Sequence, residues 1–216
     1  MNKIMLIMAM STALVPFTAQ AASVDLTVTG TIIPTSCIPA FANGSTVDLG
    51  KISSASLSAT TQNNLPQRDI TLQIACNADA AIAFAVTDNR GATKVTGLTF
   101  NGQVSNTLYY GLGSTQGVGI GGFGLLTGKP LADGKEQIFL VRSPANPVWR
   151  IPTSGLVTNA PISYSWGPSA VAGPIAASLH TFPMSVAAVI RPTSELPPIS
   201  GEVKLDGSVT FDVIYL

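Results

Sequence analysis

Charge is scarce in this chain: 11 Lys and Arg offset 11 Asp and Glu, charged residues make up 10% of the 216, and the formal net charge at pH 7 is +0. Without a basic patch there is nothing to hold phosphates or anionic head groups, so neither nucleic acid nor an anionic membrane surface is expected as a partner. Histidine is reduced to His180 alone and cysteine to Cys37 and Cys76. A structural zinc site wants four such ligands close together, so no metal is expected, and no other cofactor. A lone histidine beside scattered serines is not a catalytic triad, no serine sits in a nucleophile-elbow pattern, and the acidic residues show no acid/base pair, so no enzyme is expected. His180 itself reads as a surface or loop residue. No window of a dozen residues carries a 3.6-residue apolar period, which leaves little room for amphipathic helices.

What is abundant is apolar residues, at 46%, together with 20 Gly and 15 Pro. That balance describes many strands joined by turns and is far from the composition of a disordered chain. The first residues are set apart. Asn2 and Lys3 are polar or basic, residues 4–17 are apolar but too short to span a bilayer comfortably, and Ala19-Gln20-Ala21 is a small-x-small cleavage site. This predicts an export signal over residues 1–21 and an exported protein. In an oxidising compartment two cysteines are expected to pair, and closing the loop from Cys37 to Cys76 should stabilise the fold by about 4 kcal/mol.

Period-two patterning recurs along the rest. Val24, Leu26, Val28 and Ile32 lie on one side of an extended stretch with Gly30 among them, and Asp25, Thr27, Thr29 and Thr31 alternate with them. Pro34 ends that pattern. Short strands are predicted at 47–50, 70–76 with Cys76 turned inward, 82–87, 107–112, 137–142 and 181–190, and a last one in which Val209, Phe211, Val213 and Tyr215 alternate almost to the terminal Leu216. Gly119, Gly121 and Gly124 spell a G-x-G-x-x-G, but the turn-like LLTGKP after it does not open a helix, so a glycine-rich strand or loop is expected instead of a dinucleotide site. Residues 143–178, rich in proline and carrying Trp149 and Trp166, read as mostly irregular with one or two short strands.

Four of these stretches, LTVTGTIIPTSC at 26–37, VDLGKI at 47–52, ITLQIAC at 70–76 and GSVTFDVIYL at 207–216, with TFPM at 181–184, resemble the subunits of bacterial chaperone/usher fimbriae. The resemblance implies an all-β, immunoglobulin-like (pilin) β-sandwich that is incomplete and is completed by a donor strand, with residues 22–36 as the N-terminal donor and 37–216 as the domain. It implies that Val24, Leu26, Val28 and Ile32 are inserted into a neighbouring subunit, with Gly30 where the groove is tightest. It also implies that Val209, Phe211, Val213, Tyr215 and Leu216 meet a periplasmic chaperone before the outer-membrane usher passes the subunit into a surface fimbria that supports adhesion. The alternative carried by the residues alone is a self-contained exported β-sandwich that binds glycan or a surface partner near Trp149 and Trp166.

Overall fold

The computed structural model describes residues 24–32 and 34–216, so the expected export signal lies outside the described residues. The chain divides into two units, residues 1–33 and 34–216. In the first, residues 24–32 form no strand, and the side chains of Val24, Leu26, Val28 and Ile32 are 87–100% exposed.

The second unit is all-β, built on a curled antiparallel sheet, with three single-turn 3₁₀ segments and no α-helix among its described residues. No helix among them is long and apolar enough to cross a membrane. Its principal strands are β1 (Cys37–Phe41), β2 (Arg68–Asp88), β3 (Gly121–Thr127), β4 (Ile138–Ser143), β5 (Asn146–Arg150), β6 (Ser163–Gly167), β7 (Ala176–Ile190) and β8 (Val209–Tyr215).

β2 is the spine. Its first half pairs with β1, Cys37 opposite Cys76 and Phe41 opposite Leu72, and with β7, Val186 opposite Arg68 through Ala176 opposite Ala81. Its second half pairs with β8, Val209 opposite Asp88 through Tyr215 opposite Ile82, and touches β6 at Phe84 and Tyr164. The sheet continues from β6 to β4 to β5, and from β7 to β3. Sequence patterning had split β2 into 70–76 and 82–87. The strand in fact runs through the small or polar Asn77-Ala78-Asp79-Ala80-Ala81, where β7 supplies hydrogen bonds at Ala80 and Ala81 across a bulge at 177/179.

Alternation on β2 and β7 builds the core. Leu72, Ile74, Ile82, Phe84 and Val86 on the first, and Phe182, Met184, Val186, Ala188 and Ile190 on the second, are buried, each large side chain contributing about 1.5–3 kcal/mol. Phe84, Phe139, Tyr164, Trp166, Phe182 and Phe211 stack around one another, with Phe139 and Phe182 rings 4.8 Å apart. The Cys37–Cys76 disulfide is formed, joining directly opposed positions of β1 and β2, and Cys76 is half-buried against the core.

Two further expectations change. The expected 107–112 strand shrinks to the pair Tyr110–Gly111, because the segment around it is held by turns and by Tyr109, whose hydroxyl donates to the Val95 carbonyl at 2.7 Å. The stretch 143–178 is better ordered than its prolines suggest: it supplies β5, β6, a two-residue strand at Leu156–Val157 and the start of β7, and Pro147 sits on β5, at the end of the strand order, where a missing N–H costs nothing. As expected, the glycine-rich stretch forms a turn and then a strand, β3, whose glycines sit in close quarters: a Cβ at Gly121 would run into the Val189 carbonyl, and one at Gly122 or Gly124 into the ring of Tyr109 or Phe100.

Candidate functional site

Where the 47–50 pattern predicts a strand, the chain is extended but pairs with nothing. β1 leaves its ladder after the Ala42 N–H bonds the Thr71 carbonyl, and the turn through Gly44, at φ +85°, sends residues 44–52 away from β2. Along 45–52 only two backbone groups have partners: the Gly50 N–H, which donates to Asp48 Oδ1, and the Asp48 carbonyl, which accepts from Arg68 Nε. The segment leading into β8 behaves alike. Residues 201–205 make no backbone hydrogen bond, and the chain is caught again at Asp206, whose N–H donates to the Leu112 carbonyl.

These two segments are the rims of a trough of about 910 Å³. Its floor comes from β3, β7 and their neighbours: Leu112, Ile120, Phe123, Leu125, Val186, Ala188 and Ile190. The rims keep period two. Val47, Leu49, Val203 and Leu205 are half-buried and line the trough, while Asp48, Lys51, Glu202 and Lys204 are exposed between or beside them. Phe41 and Phe211, ring centroids 5.5 Å apart, stand at one end. At the other, Leu57, Leu196 and Ile199 line the wall, and Thr193 and Ser194 donate backbone N–H groups to the Ser58 and Ala59 carbonyls. One ion pair pins the second rim: Arg90 Nε and Nη2 hold the two Asp206 oxygens at 2.8 and 3.1 Å, a bidentate grip that, through its hydrogen bonds above all, keeps the Asp206 carboxyl below the usual range. A concave channel with an apolar floor and, among the described residues, backbone without partners along both walls has the features to which an extended peptide can add as a strand.

Sequence patterning placed the C-terminal residues correctly as a strand, with Val209, Phe211 and Val213 packed on the core, but Tyr215 is half-exposed and its hydroxyl accepts the Cys37 N–H at 2.7 Å. The trough itself was missed, since two rims 150 residues apart share no local signal; only the VDLGKI and EVKLDG alternations hinted at them.

One other expectation is corrected. His180 is buried on β7, 1% exposed, not on the surface: Trp166 Nε1–H donates to its Nδ1 and its Nε2 bonds the Ala80 carbonyl, both at 3.0 Å. Burial pushes its pKa down, against smaller upward pulls led by the Ala80 carbonyl. Trp166 is therefore a core residue, and the two tryptophans share no glycan-stacking surface; Trp149, half-buried on β5, has the Arg142 guanidinium over its ring at 4.6 Å. Among the described residues no cluster of three His, Cys, Asp or Glu is placed to hold a metal.

Comparison with known proteins adds two findings. A family model described as "Protein of unknown function (DUF1120)" matches residues 26–124, from the exposed N-terminal stretch to the middle of β3. Protein GltF of Escherichia coli (strain K12) is 30% identical over 224 aligned positions, which take in 89% of this chain and 88% of that protein.

Proposed function

The chain belongs to the family of Protein GltF; from the open trough and the exposed apolar stretch of residues 24–32 we propose that it is a structural fimbrial subunit, an immunoglobulin-like sandwich short of one strand, which polymerises when residues 24–32 of a second copy enter its trough. The observation that carries the reading is the match between an open channel and an exposed stretch of period-two apolar residues in one sequence. The first rim, residues 44–52, and the stretch 24–32 each run to nine residues, about 30 Å at about 3.3 Å per residue, while the second rim leaves the five residues 201–205 without backbone partners among the described residues. The stretch presents Val24, Leu26, Val28 and Ile32 on one side, all exposed in its own chain, and the trough offers an apolar floor with unpaired backbone on both walls. Seated there, the four aliphatics would contribute about 1.5–3 kcal/mol each and the strand would satisfy both rims at once.

Before assembly the same trough has to be covered. A periplasmic chaperone strand pairing beside β8, near Tyr215 and the Leu216 carboxylate, would do so, and an outer-membrane usher would then exchange it for the next subunit's residues 24–32. Adhesion belongs on this reading to the surface fimbria and needs no catalytic residue or cofactor in the subunit.

The test uses mature protein lacking residues 22–32 and a synthetic peptide of residues 24–32. Addition of the peptide should raise the thermal midpoint and give a one-to-one complex. No shift at peptide concentrations up to 1 mM (a limit of about −4 kcal/mol) would instead favour a self-contained exported β-sandwich.

A further inference from the structure

We propose that Asn77 and Tyr215 are positioning residues that anchor residues 34–37, from which the N-terminal segment continues, and so set the stiffness of the joint between successive copies; the second half rests on the donor-strand reading above. The Ser36 N–H donates to Asn77 Oδ1 at 2.9 Å, the Asn77 N–H donates back to the Ser36 carbonyl at 3.0 Å, and Asn77 Nδ2 reaches the Pro34 carbonyl at 3.4 Å. One residue further on, the Cys37 N–H donates to the Tyr215 hydroxyl, and the Cys37 side chain is tied to Cys76. Pro34, Ser36 and Cys37 are thus held by groups from both β2 and β8 at the point where the β1 ladder starts. The Pro34 ring fixes φ at the outermost of them.

A chain end entering a sheet normally frays over these residues. Here these residues are hydrogen-bonded, and the contacts involved do little for the core: Ser36 and Asn77 are exposed and Tyr215 is 50% exposed. The chemistry is particular. An amide side chain is needed at 77 because it must accept from one backbone group and donate to another, and a phenol is needed at 215 because the ring alone has nothing to offer the Cys37 N–H. In a fibre, residues 34–37 are the covalent root of the strand that lies in the neighbour's trough. Pinning the root on two strands removes the bending freedom of a bare linker there.

The experiment compares the full mature chain with its Asn77→Ala/Tyr215→Phe variant, and Tyr215→Phe alone serves should the double variant fail to fold. In the monomer, amide exchange at Ser36 and Cys37 should be slow in the wild type and at least tenfold faster in the variant, with β2 core amides unchanged. Fibres grown from purified variant should show a persistence length, measured by electron microscopy, at least halved relative to wild type. Equal exchange rates, or fibres of wild-type stiffness, overturn the proposal. If wild-type protein neither grows fibres nor takes up the 24–32 peptide, the donor-strand reading fails, and the exchange arm alone decides whether Asn77 and Tyr215 hold the root.

Discussion

At the scale of single residues, the chain places two groups where small chemical changes have large consequences. Gly30 lies among the apolar positions of the 24–32 stretch, and nothing stands within 4 Å of where its Cβ would be. Gly30→Leu should therefore leave the folding of its own chain untouched, while overpacking the neighbour's trough by about 1–3 kcal/mol. We expect normal monomer stability and fibre growth slowed at least fivefold, followed by light scattering; wild-type growth would contradict the inferred close approach. His180 is the second. As a neutral ring it accepts from Trp166, and as imidazolium it would set two N–H groups against each other inside the core, with the Asp133 and Asp79 carboxylates giving only partial relief. Its folded pKa is lowered, so the unfolded chain binds the proton more readily; stability is full above the unfolded value near 6.5 and falls as pH drops from there toward the folded value. Urea midpoints should decline between pH 7.5 and 5.5, and His180→Gln, which retains an acceptor without the titration, should flatten that slope.

At the scale of elements, the rims and the disulfide make separate demands. Leu49→Asp puts a charge on the wall of the trough without disturbing any ladder, since 45–52 belongs to none. Uptake of the 24–32 peptide, measured calorimetrically, should weaken at least tenfold, about 1.4 kcal/mol, and the thermal midpoint of the empty chain should fall as well, since Leu49 packs against the core. Reducing Cys37–Cys76 should lower unfolding stability by about 2–5 kcal/mol, seen as a shift in denaturant midpoint with dithiothreitol. These elements also mark how far the sequence could be read. Ile70, Leu72 and Ile74 alternate plainly and emerged as a strand, as did Val209 to Tyr215, because one buried face forces period two. Val47 and Leu49 alternate just as plainly and are not in a strand: patterning reports which side chains turn inward, whereas a ladder also needs a partner, and here none is supplied. The join at Asn77–Ala81 and the Trp166–His180 bond were illegible for the opposite reason, since tertiary neighbours alone decide them.

At the scale of the whole molecule, one long strand, β2, carries both halves of a curled sheet, and the trough lies between residues 44–52 and 201–205 over β3 and β7. Four seated aliphatics supply about 6–12 kcal/mol and some eight ladder bonds about 1 kcal/mol each, against about 10–20 kcal/mol for ordering ten residues, so durability of a filled trough rests on slow release more than on equilibrium affinity. The central claim is that residues 24–32 of one copy occupy the trough of another. Its most direct test is a peptide of residues 24–32 with a photoreactive phenylalanine analogue in place of Val28, irradiated with mature protein lacking residues 22–32 and mapped by mass spectrometry. The account predicts adducts confined to 44–52, 112–125, 186–190 and 199–211; adducts spread elsewhere, or none, would contradict it.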